Sequence, residues 1–462
     1  MFCAALTRVH PAGAGTPNIG RQIVLTGEVD EYVVQRSVNR LISRCEMLRA
    51  SLHRIPDRTP GEGNIRLGVY KSGGSLIPGM FTQCIKERGM VRLGVHRVSN
   101  RNGDHAKIAR SLLRQELRTP FDLERSPLVR ATLIRIGPEK ALLQLVAHPL
   151  ICDESSLRIL ARQLRHCCPF AIQSSSSCLD LAHTAYSATS FNGQLPRPSS
   201  SELAAGLDFW QSYWAEFGFA RLASRNLPFA NEFTGRTGKI SAAQRFLEPA
   251  LTSRVLRFAR EQRFTLFVLT FAALAVVLSH HCGQDRVALR RRFANRVVGE
   301  NYRAVGALET IGILGVKVAS NARGRDVLES AREAAQVTTK WRHVPAALVG
   351  YPAAIAIQEC VSLDFRFIPG QVANLGTETN SGPARLLFTE PGPCLRYFVT
   401  QFESAVFLTA AYSTALFPDD RIAELLGQLE MTIRFLIDRP DGRIEDVRRL
   451  LRSPSLARRV DE

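Results

Sequence analysis

The chain has 462 residues, 45% of them hydrophobic and 22% charged, so it can bury a large core. At roughly 150 residues per domain it should form two or three units. Its 60 basic and 42 acidic residues give a net charge of +18 and favour acidic partners. Because that charge is mostly arginine spread along the chain, and is not gathered in a tail, we expect no nucleic-acid partner.

The sequence contains no clear signal for secretion, membrane insertion or disulfide bonding. The first 20 residues combine neither a basic n-region nor a sustained apolar core, so no secretory signal is predicted. The longest apolar stretch, Phe264 to Ser279, is shorter than the ~20 residues that span a bilayer, and it predicts a buried helix. Ten scattered cysteines without a Cys-x-x-Cys pair predict no disulfide framework. We therefore expect a cytoplasmic protein without a membrane partner.

The first part of the chain alternates between apolar runs of strand type and stretches of helical periodicity. The predicted elements are a strand at Gln22–Gly27, a helix from Val33 to Leu48, a helix at Ala106–Leu117, strands at Leu128–Ile136 and Ala141–His148, and a helix at Ser156–Leu164. The two later strands flank the turn Gly137-Pro-Glu-Lys140, so we expect a hairpin.

Between residues 173 and 201 the composition changes to Ser, Thr, Pro and Ala, which marks a linker. The elements predicted after it are a helix at Leu207–Phe217, one long helix at Ser253–Ser279, a strand at Arg286–Phe293, apolar runs at Gly312–Ala319 and Phe398–Tyr412, and a helix at Asp419–Ile437. This order predicts a mixed α/β fold. The expected division is a lobe at 1–172, a linker at 173–201 and a second lobe at 202–462.

One segment carries a candidate site. His148 ends a hydrophobic strand, and Asp153 follows five residues later, just before a helix. Reactive groups often gather in the loops after strands. Taken alone, such a His and Asp pair is more often structural than catalytic, so the surrounding residues decide how it is interpreted.

The surrounding residues resemble the condensation domains and related acyltransferases of nonribosomal peptide synthesis, whose signature is His-His-x-x-x-Asp-Gly with a Ser two places later. In that register His148 is the first His, Pro149 replaces the second, Asp153 is the Asp, Glu154 replaces the Gly and Ser156 is the Ser. Further matching segments in family order are Arg44–Arg49, Pro120–Leu123, Ser126–Ala131, Phe264–Phe267, Gly283–Asp285, Asn295–Arg296, Ile311–Gly312, His343–Pro345 and Tyr412–Phe417. By this resemblance, we expect the family's opening helix to be missing before Met1.

The resemblance implies two chloramphenicol-acetyltransferase-like lobes in a V, with the His motif in a tunnel between them. It also implies acyl groups delivered on the phosphopantetheine arm of an acyl or peptidyl carrier protein, and other synthetase modules as partners. By the same resemblance, Asp153 and Arg296 form a structural salt bridge that holds the motif loop to the neighbouring lobe. We expect a monomer with no bound metal, nucleotide or flavin.

In the family the second His serves as base or positioning group, which requires a titratable nitrogen. Pro149 has none, because its nitrogen is a tertiary amide. Glu154 also removes a permissive glycine and adds a charge. We therefore expect a member that binds but is catalytically impaired. Two alternatives stay open: a register with one inserted residue, in which His148 is the base of an active acyltransferase, and a decayed gene fragment with neither role.

Three other features are interpreted as structural. His280-His281-Cys282 places adjacent side chains in divergent directions without a second ligand pair, so no metal site is predicted. His166-Cys167-Cys168 is expected to be a helix-to-loop junction. The run Arg290-Arg291-Arg292 could contact a phosphate, but a solvated or paired strand is the more common case for such a run.

Overall fold

The computed structural model describes residues 18–55, 65–70, 76–98, 105–137, 139–167, 199–217, 226–232, 240–296, 303–344, 360–367 and 395–452. Two compact units divide the chain: 1–197 with 294–310, and 198–293 with 311–462. Both contain helices and mixed sheets, so the predicted α/β class is confirmed. Of the expected linker, only residues 199–201 lie within the described ranges.

The described residues of the first unit form a four-stranded sheet, a smaller three-stranded sheet and three helices. Its strands are β1 (Ile19–Thr26), β2 (Ala50–Ile55), β3 (Ile65–Tyr70), β4 (Leu76–Ile85), β5 (Gly94–Arg97), β6 (Val129–Gly137) and β7 (Lys140–Ala147). Its helices are α1 (Glu31–Arg44), α2 (His105–Arg118) and α3 (Glu154–Cys167), with a short 3₁₀ helix at Glu46–Arg49. The larger sheet has the order β1-β7-β6-β5, and the smaller one β2-β4-β3.

The strand that leads to the candidate site lies in the middle of the larger sheet. β7 pairs antiparallel with both β1 and β6, and its residues Leu143, Leu145 and Ala147 are buried. β6 and β7 form the predicted hairpin. Because β7 is hydrogen-bonded to a strand on each side and its second half is buried, the backbone position of the next residue, His148, is fixed by the sheet.

The second unit contains a six-stranded sheet and six helices among its described residues. Its strands are β8 (Ile240–Phe246), β9 (Arg286–Phe293), β10 (Thr310–Lys317), β11 (Ser362–Phe367), β12 (Leu395–Gln401) and β13 (Val406–Ser413), in the order β10-β9-β11-β12-β13-β8. Its helices are α4 (Ser200–Phe217), α5 (Pro249–Glu261), α6 (Leu266–Cys282), α7 (Gly324–Lys340), α8 (Asp419–Asp438) and α9 (Ile444–Arg452).

The two units share a four-strand pattern. In the first, β1-β7-β6-β5 pair antiparallel, antiparallel and parallel. In the second, β8-β13-β12-β11 pair in the same sequence of directions. A helix follows the hairpin in each, α3 after β7 and α8 after β13. The described strands of the two units therefore share one order of pairing directions.

The single long helix predicted over Ser253–Ser279 is wrong. The structure has two helices, α5 and α6, that meet at a bend of 107°. Arg263 has a left-handed backbone (φ 56°), and the Thr265 hydroxyl accepts a hydrogen bond from Val268 N–H at 3.1 Å to start the new helix. Apolar periodicity continues across the break, which is why the sequence pattern did not indicate it.

Replacing Arg263 with Gly should raise the free energy of unfolding by about 0.5–1 kcal/mol. A residue with a side chain is strained at positive φ, whereas glycine adopts this conformation readily. The matched control is Arg257→Gly in α5, where an exposed helical position should instead lose about 1 kcal/mol. Urea titration of the three proteins measures both effects. A loss of stability in Arg263→Gly would contradict the assigned backbone conformation.

Within the described residues, no single helix is long and apolar enough to cross a membrane. The bent pair α5 and α6 meets the length and composition criteria only when both helices are taken together. Leu266 through Ser279 of α6 are buried in the core of the second unit. Burial against protein accounts for the apolar character of this helix.

Candidate functional site

His148 is the first residue after β7, and its backbone continues the sheet. Its N–H donates to the Leu128 carbonyl at 3.0 Å, and its own carbonyl accepts from Ile151 N–H at 3.1 Å. The residue is only 5% exposed. Its imidazole meets the Phe121 ring edge to face, with centroids 6.3 Å apart. The buried strand thus carries His148 into the interior of the first unit.

The hydrogen bonding of the imidazole bears on its chemistry. The N–H of Leu150 donates to Nδ1 of His148 at 3.3 Å. In a neutral imidazole one nitrogen accepts and the other carries the proton, so this contact assigns the proton to Nε2. An Nε2–H group is a donor. This tautomer does not offer Nε2 as a general base.

Pro149 follows and is also buried. Its ring has no N–H and no titratable atom, so it cannot move a proton. The next residues, Leu150 to Cys152, complete the loop before α3 begins at Glu154. Glu154, in the position of the family's glycine, is half-buried in the first turn of α3, where an acidic side chain is favoured by the helix dipole.

Asp153 precedes α3 and is fully buried. Its Oδ1 accepts hydrogen bonds from Ser156 N–H at 2.7 Å and from Arg296 Nη2 at 2.8 Å. Its Oδ2 accepts from Arg296 Nη1 at 2.9 Å, from Leu308 N–H at 2.9 Å and from Glu309 N–H at 3.1 Å. The carboxylate therefore caps the helix and binds the guanidinium in a bidentate pair. Five N–H donors hold it in place, which suits a structural role.

Arg296 lies in the segment 294–310, between β9 and β10 in sequence. Its side chain is 4% exposed. We expected it to belong to the neighbouring lobe, but this segment is part of the first unit. The reason is local bonding: the Ser156 hydroxyl is 2.8 Å from Arg296 Nη2 and accepts from Gly306 N–H at 2.9 Å. The segment is thus bound to the start of α3.

The segment leaves β9 through a left-handed residue. Asn295 has φ 49°, a conformation that asparagine tolerates better than most residues. Its side-chain amide donates to the Leu308 carbonyl and to the Thr310 hydroxyl, each at 2.9 Å. These bonds join the beginning of the segment to its end and so fix the position of the adjacent Arg296.

Sequence reasoning missed a second buried carboxylate beside the motif. Glu309 Oε1 accepts from Ser155 N–H at 3.4 Å and from its hydroxyl at 3.3 Å. Arg158 Nη2 donates to the same hydroxyl at 3.0 Å. Glu309 thus lies at the first turn of α3 together with Asp153. A lone acidic residue ahead of an apolar run has no spacing pattern that would reveal this.

Two cysteines adjoin the motif and are not suited to nucleophilic chemistry. Cys45, where the related motif has His, is buried, and burial raises the pKa of its thiol to about 12. Burial, and then the charge of Asp153, raise the pKa of Cys152 as well. A cysteine reacts as its thiolate, so both side chains stay inert at neutral pH.

The His280-His281-Cys282 run, at the end of α6, is part of the second unit. His281 Nε2 lies 2.7 Å from Gln428 Oε1, and burial lowers the pKa of its imidazole. Burial also raises the pKa of Cys282 to about 11. Over the part of the chain that the structure describes, no three His, Cys, Asp or Glu side chains are grouped as metal ligands. His166 and Cys167 are described only in their backbone, at the end of α3, and Cys168 lies outside the described residues.

The family model for the condensation domain matches residues 77–355, more than half of the chain. The chain belongs to the condensation-domain family. This condensation domain is 24% identical, over 433 residues and 92% of its length, to chondramide synthase cmdD from Chondromyces crocatus. It covers 10% of that protein and 4% of tyrocidine synthase 3 from Brevibacillus parabrevis, so it spans a small part of such relatives.

Solved structures show the same fold. The condensation domain superimposes on the X-domain in its complex with OxyB from teicoplanin biosynthesis with a TM-score of 0.65 and 15% identity, covering 96% of this chain and 95% of that one. It also matches holo-AB3403, a four-domain nonribosomal peptide synthetase, with a TM-score of 0.67 and 14% identity, over 96% of this chain and 33% of that one. At these identities the similarity concerns the fold alone.

Proposed function

We propose that this condensation domain binds carrier-bound acyl thioesters or partner enzymes of nonribosomal peptide synthesis and does not catalyse condensation. One observation carries the proposal: Pro149 occupies the position of the base, next to a buried His148 whose Nδ1 already accepts a hydrogen bond. General base catalysis needs an unprotonated nitrogen within reach of the acceptor. Pro149 has no such nitrogen, and the unprotonated Nδ1 of His148 is occupied by the Leu150 N–H.

The network around Asp153 supports a maintained scaffold. Asp153, Ser156 and Arg296 bind one another and the backbone of residues 304–309 with hydrogen bonds of 2.7–3.3 Å. A buried ion pair is favourable only when its remaining hydrogen-bonding groups are satisfied, as they are for this carboxylate. We infer that the motif loop retains its conformation although its chemistry is lost. This argues against the decayed-fragment alternative.

The mode of action we propose is recruitment. The X-domain, which has this fold, is found in a complex with OxyB. A condensation fold can therefore serve as a binding module. A carrier with its phosphopantetheine arm, or a neighbouring synthetase module, is the partner that family membership suggests. The net charge of +18 favours an acidic protein in this role. We propose that the domain acts as a cytoplasmic monomer.

The unmodified protein should show no turnover above background with acyl-phosphopantetheine donors and aminoacyl thioester acceptors, measured by mass spectrometry of the products. It should nevertheless form a complex with a loaded carrier protein, detected by native mass spectrometry. His148→Ala should leave both results unchanged, because the buried imidazole is not the base. Circular dichroism of the variant checks the fold.

The opposite outcome identifies the alternative function. Clear turnover by the unmodified protein that disappears in folded His148→Ala would mean that His148 is the base of an active acyltransferase. Absence of both turnover and carrier binding would contradict the carrier-binding proposal, and a screen against partner enzymes would then test the recruitment form of it.

A further inference from the structure

One surface of the first unit is formed by α1 and the loop 86–93, which joins β4 to β5. Gln35 of α1 binds the loop at two points: its Nε2 donates to the Val91 carbonyl at 2.7 Å, and its Oε1 accepts from Leu93 N–H at 2.7 Å. Asn39, one turn further along α1, accepts from Val91 N–H at 3.0 Å. These three hydrogen bonds fix the loop alongside the helix.

The side chains of this loop alternate between the helix and solvent. Gly89 packs against α1, since a Cβ atom at this position would lie 3.2 Å from the Ile42 side chain. Arg88, Met90 and Arg92 are exposed, whereas the residues between them are partly buried. Alternation of this kind places the three exposed side chains on one side of the chain, away from the helix.

The exposed face of α1 continues the surface. Tyr32, Arg36 and Arg40 are exposed and follow one another at intervals of four residues, so they share one face of the helix. Arg36 and Arg40 come directly after Gln35 and Asn39, the two residues that bind the loop, and successive helical residues are about 100° apart. This face therefore adjoins the loop, and it extends about 12 Å along α1.

The combined surface carries an excess of positive charge. Over the part of the chain that the structure describes, none of these four arginines forms an ion pair. The acidic residues of α1 and the loop are Glu31 and Glu87. Glu31 is already bound to Arg97 at 2.6 Å and to Arg135 at 2.9 Å. Four arginines with a single remaining carboxylate leave a surface that favours an acidic partner.

Two apolar side chains lie among these arginines. Met90 is 75% exposed and Tyr32 is 71% exposed, whereas the other exposed large hydrophobic residues in the described ranges reach at most 45%. Arg, Met and Tyr are the residue types enriched where proteins contact one another, and Lys is depleted there. Surfaces that bind membranes instead combine Lys and Arg with Trp, Phe and Leu. The composition therefore favours a protein partner.

We propose that this basic surface of α1 and the loop 86–93 binds an acidic protein, whose contact surface places carboxylates around an apolar pocket. Met90 and Tyr32 insert into the pocket. The arginines on either side bind the carboxylates, for which the guanidinium fork is suited. The inference rests on the recruitment function proposed above and adds the place where the recruited protein binds. It requires no chemistry at the motif loop.

The test uses the full chain and an acidic carrier protein loaded with its phosphopantetheine arm, titrated by fluorescence anisotropy. The double variant Arg36→Glu, Arg88→Glu should weaken the affinity about tenfold or more, since it places like charges opposite each other. The matched control is Arg257→Glu, Arg260→Glu, which reverses two exposed arginines of α5 and changes the net charge equally. It should change the affinity less than about twofold, because rim-free positions make no contact. Met90→Ser keeps the charge and should weaken binding severalfold.

The outcomes separate this surface from the proposed function. Equal affinities of the two double variants overturn the surface and leave carrier binding, and so the proposed function, intact. Unchanged affinity in Met90→Ser rejects the apolar contact. Circular dichroism checks the fold of each variant.

A second probe serves if the unmodified chain does not bind the carrier. It is a synthetic helical peptide with glutamates on both sides of a leucine stripe. Peptide binding that is lost in Arg36→Glu, Arg88→Glu supports the surface even though the carrier-binding form of the function fails. Absence of binding to both probes overturns the surface. Sedimentation with phosphatidylglycerol vesicles covers the remaining case, since vesicle binding without binding of either probe would mean a membrane partner and would also overturn it.

Discussion

Replacing Pro149 with His should give the protein a condensation rate about 10² to 10⁴ times that of the unmodified chain. Positioned acid–base groups contribute rate factors of this size. The new imidazole would follow the rigid end of β7, directly after His148, where the related proteins carry their second His. Pairing it with Glu154→Gly restores the small residue before Ser155 and should raise the rate further. Product formation from acyl and aminoacyl thioesters measures the gain.

The matched control for this gain is Pro149→Ala. It removes the same ring and frees the same backbone N–H but supplies no titratable nitrogen, so it should stay at background. Activity in both variants would show that the proline ring had only blocked access. Inactivity of a folded Pro149→His, Glu154→Gly protein would contradict the register in which Pro149 replaces the base.

Replacing Arg296 with Met should lower the free energy of unfolding by roughly 3 to 5 kcal/mol. The change leaves the fully buried Asp153 carboxylate without its bidentate partner, and breaking one side of a buried ion pair has a cost of this order. Because the loop 303–310 is bound to α3 through the same network, its opening should accompany the loss. Denaturant titration measures the stability change, and hydrogen exchange at the Leu308 and Glu309 amides reports the loop directly.

The control is the same substitution at an exposed pair. Arg125 lies 3.4 Å from Asp122, and its side chain is 86% exposed, so Arg125→Met should change stability by less than about 0.5 kcal/mol. Asp153→Asn, Arg296→Met together should recover part of the loss, since no unpaired charge remains. Equal stability of Arg296→Met and Arg125→Met would contradict a structural role for the pair.

The local pattern of apolar and turn residues was sufficient to predict many of the helices and strands. The helix at Ala106–Leu117 and the strand at Arg286–Phe293 agree with the structure to within one residue at each end. The hairpin of β6 and β7 was also predicted, because a Gly-Pro turn between two apolar runs leaves few other arrangements. In each case the signal lies within about 20 residues of sequence. Short-range periodicity captures elements of this kind well.

Other features depend on distant residues and were not predicted. The strands between residues 50 and 98 were not predicted. There β2 pairs with β4, and β5 pairs with β6. The break at Arg263 was also missed, since apolar spacing continues through it.

By itself, the sequence determined the family and the identity of the motif residues, because these depend on residue order alone. The sequence showed that position 149 holds a proline, which has no titratable side chain, and that Asp153 and Arg296 are both present. Only the tertiary structure decided what surrounds them. His148 contacts the Phe121 ring and the Leu128 carbonyl, and the five N–H donors of Asp153 include Leu308 and Glu309, some 155 residues away. Burial and hydrogen bonding are set by contacts between segments far apart in the chain, which no local pattern specifies.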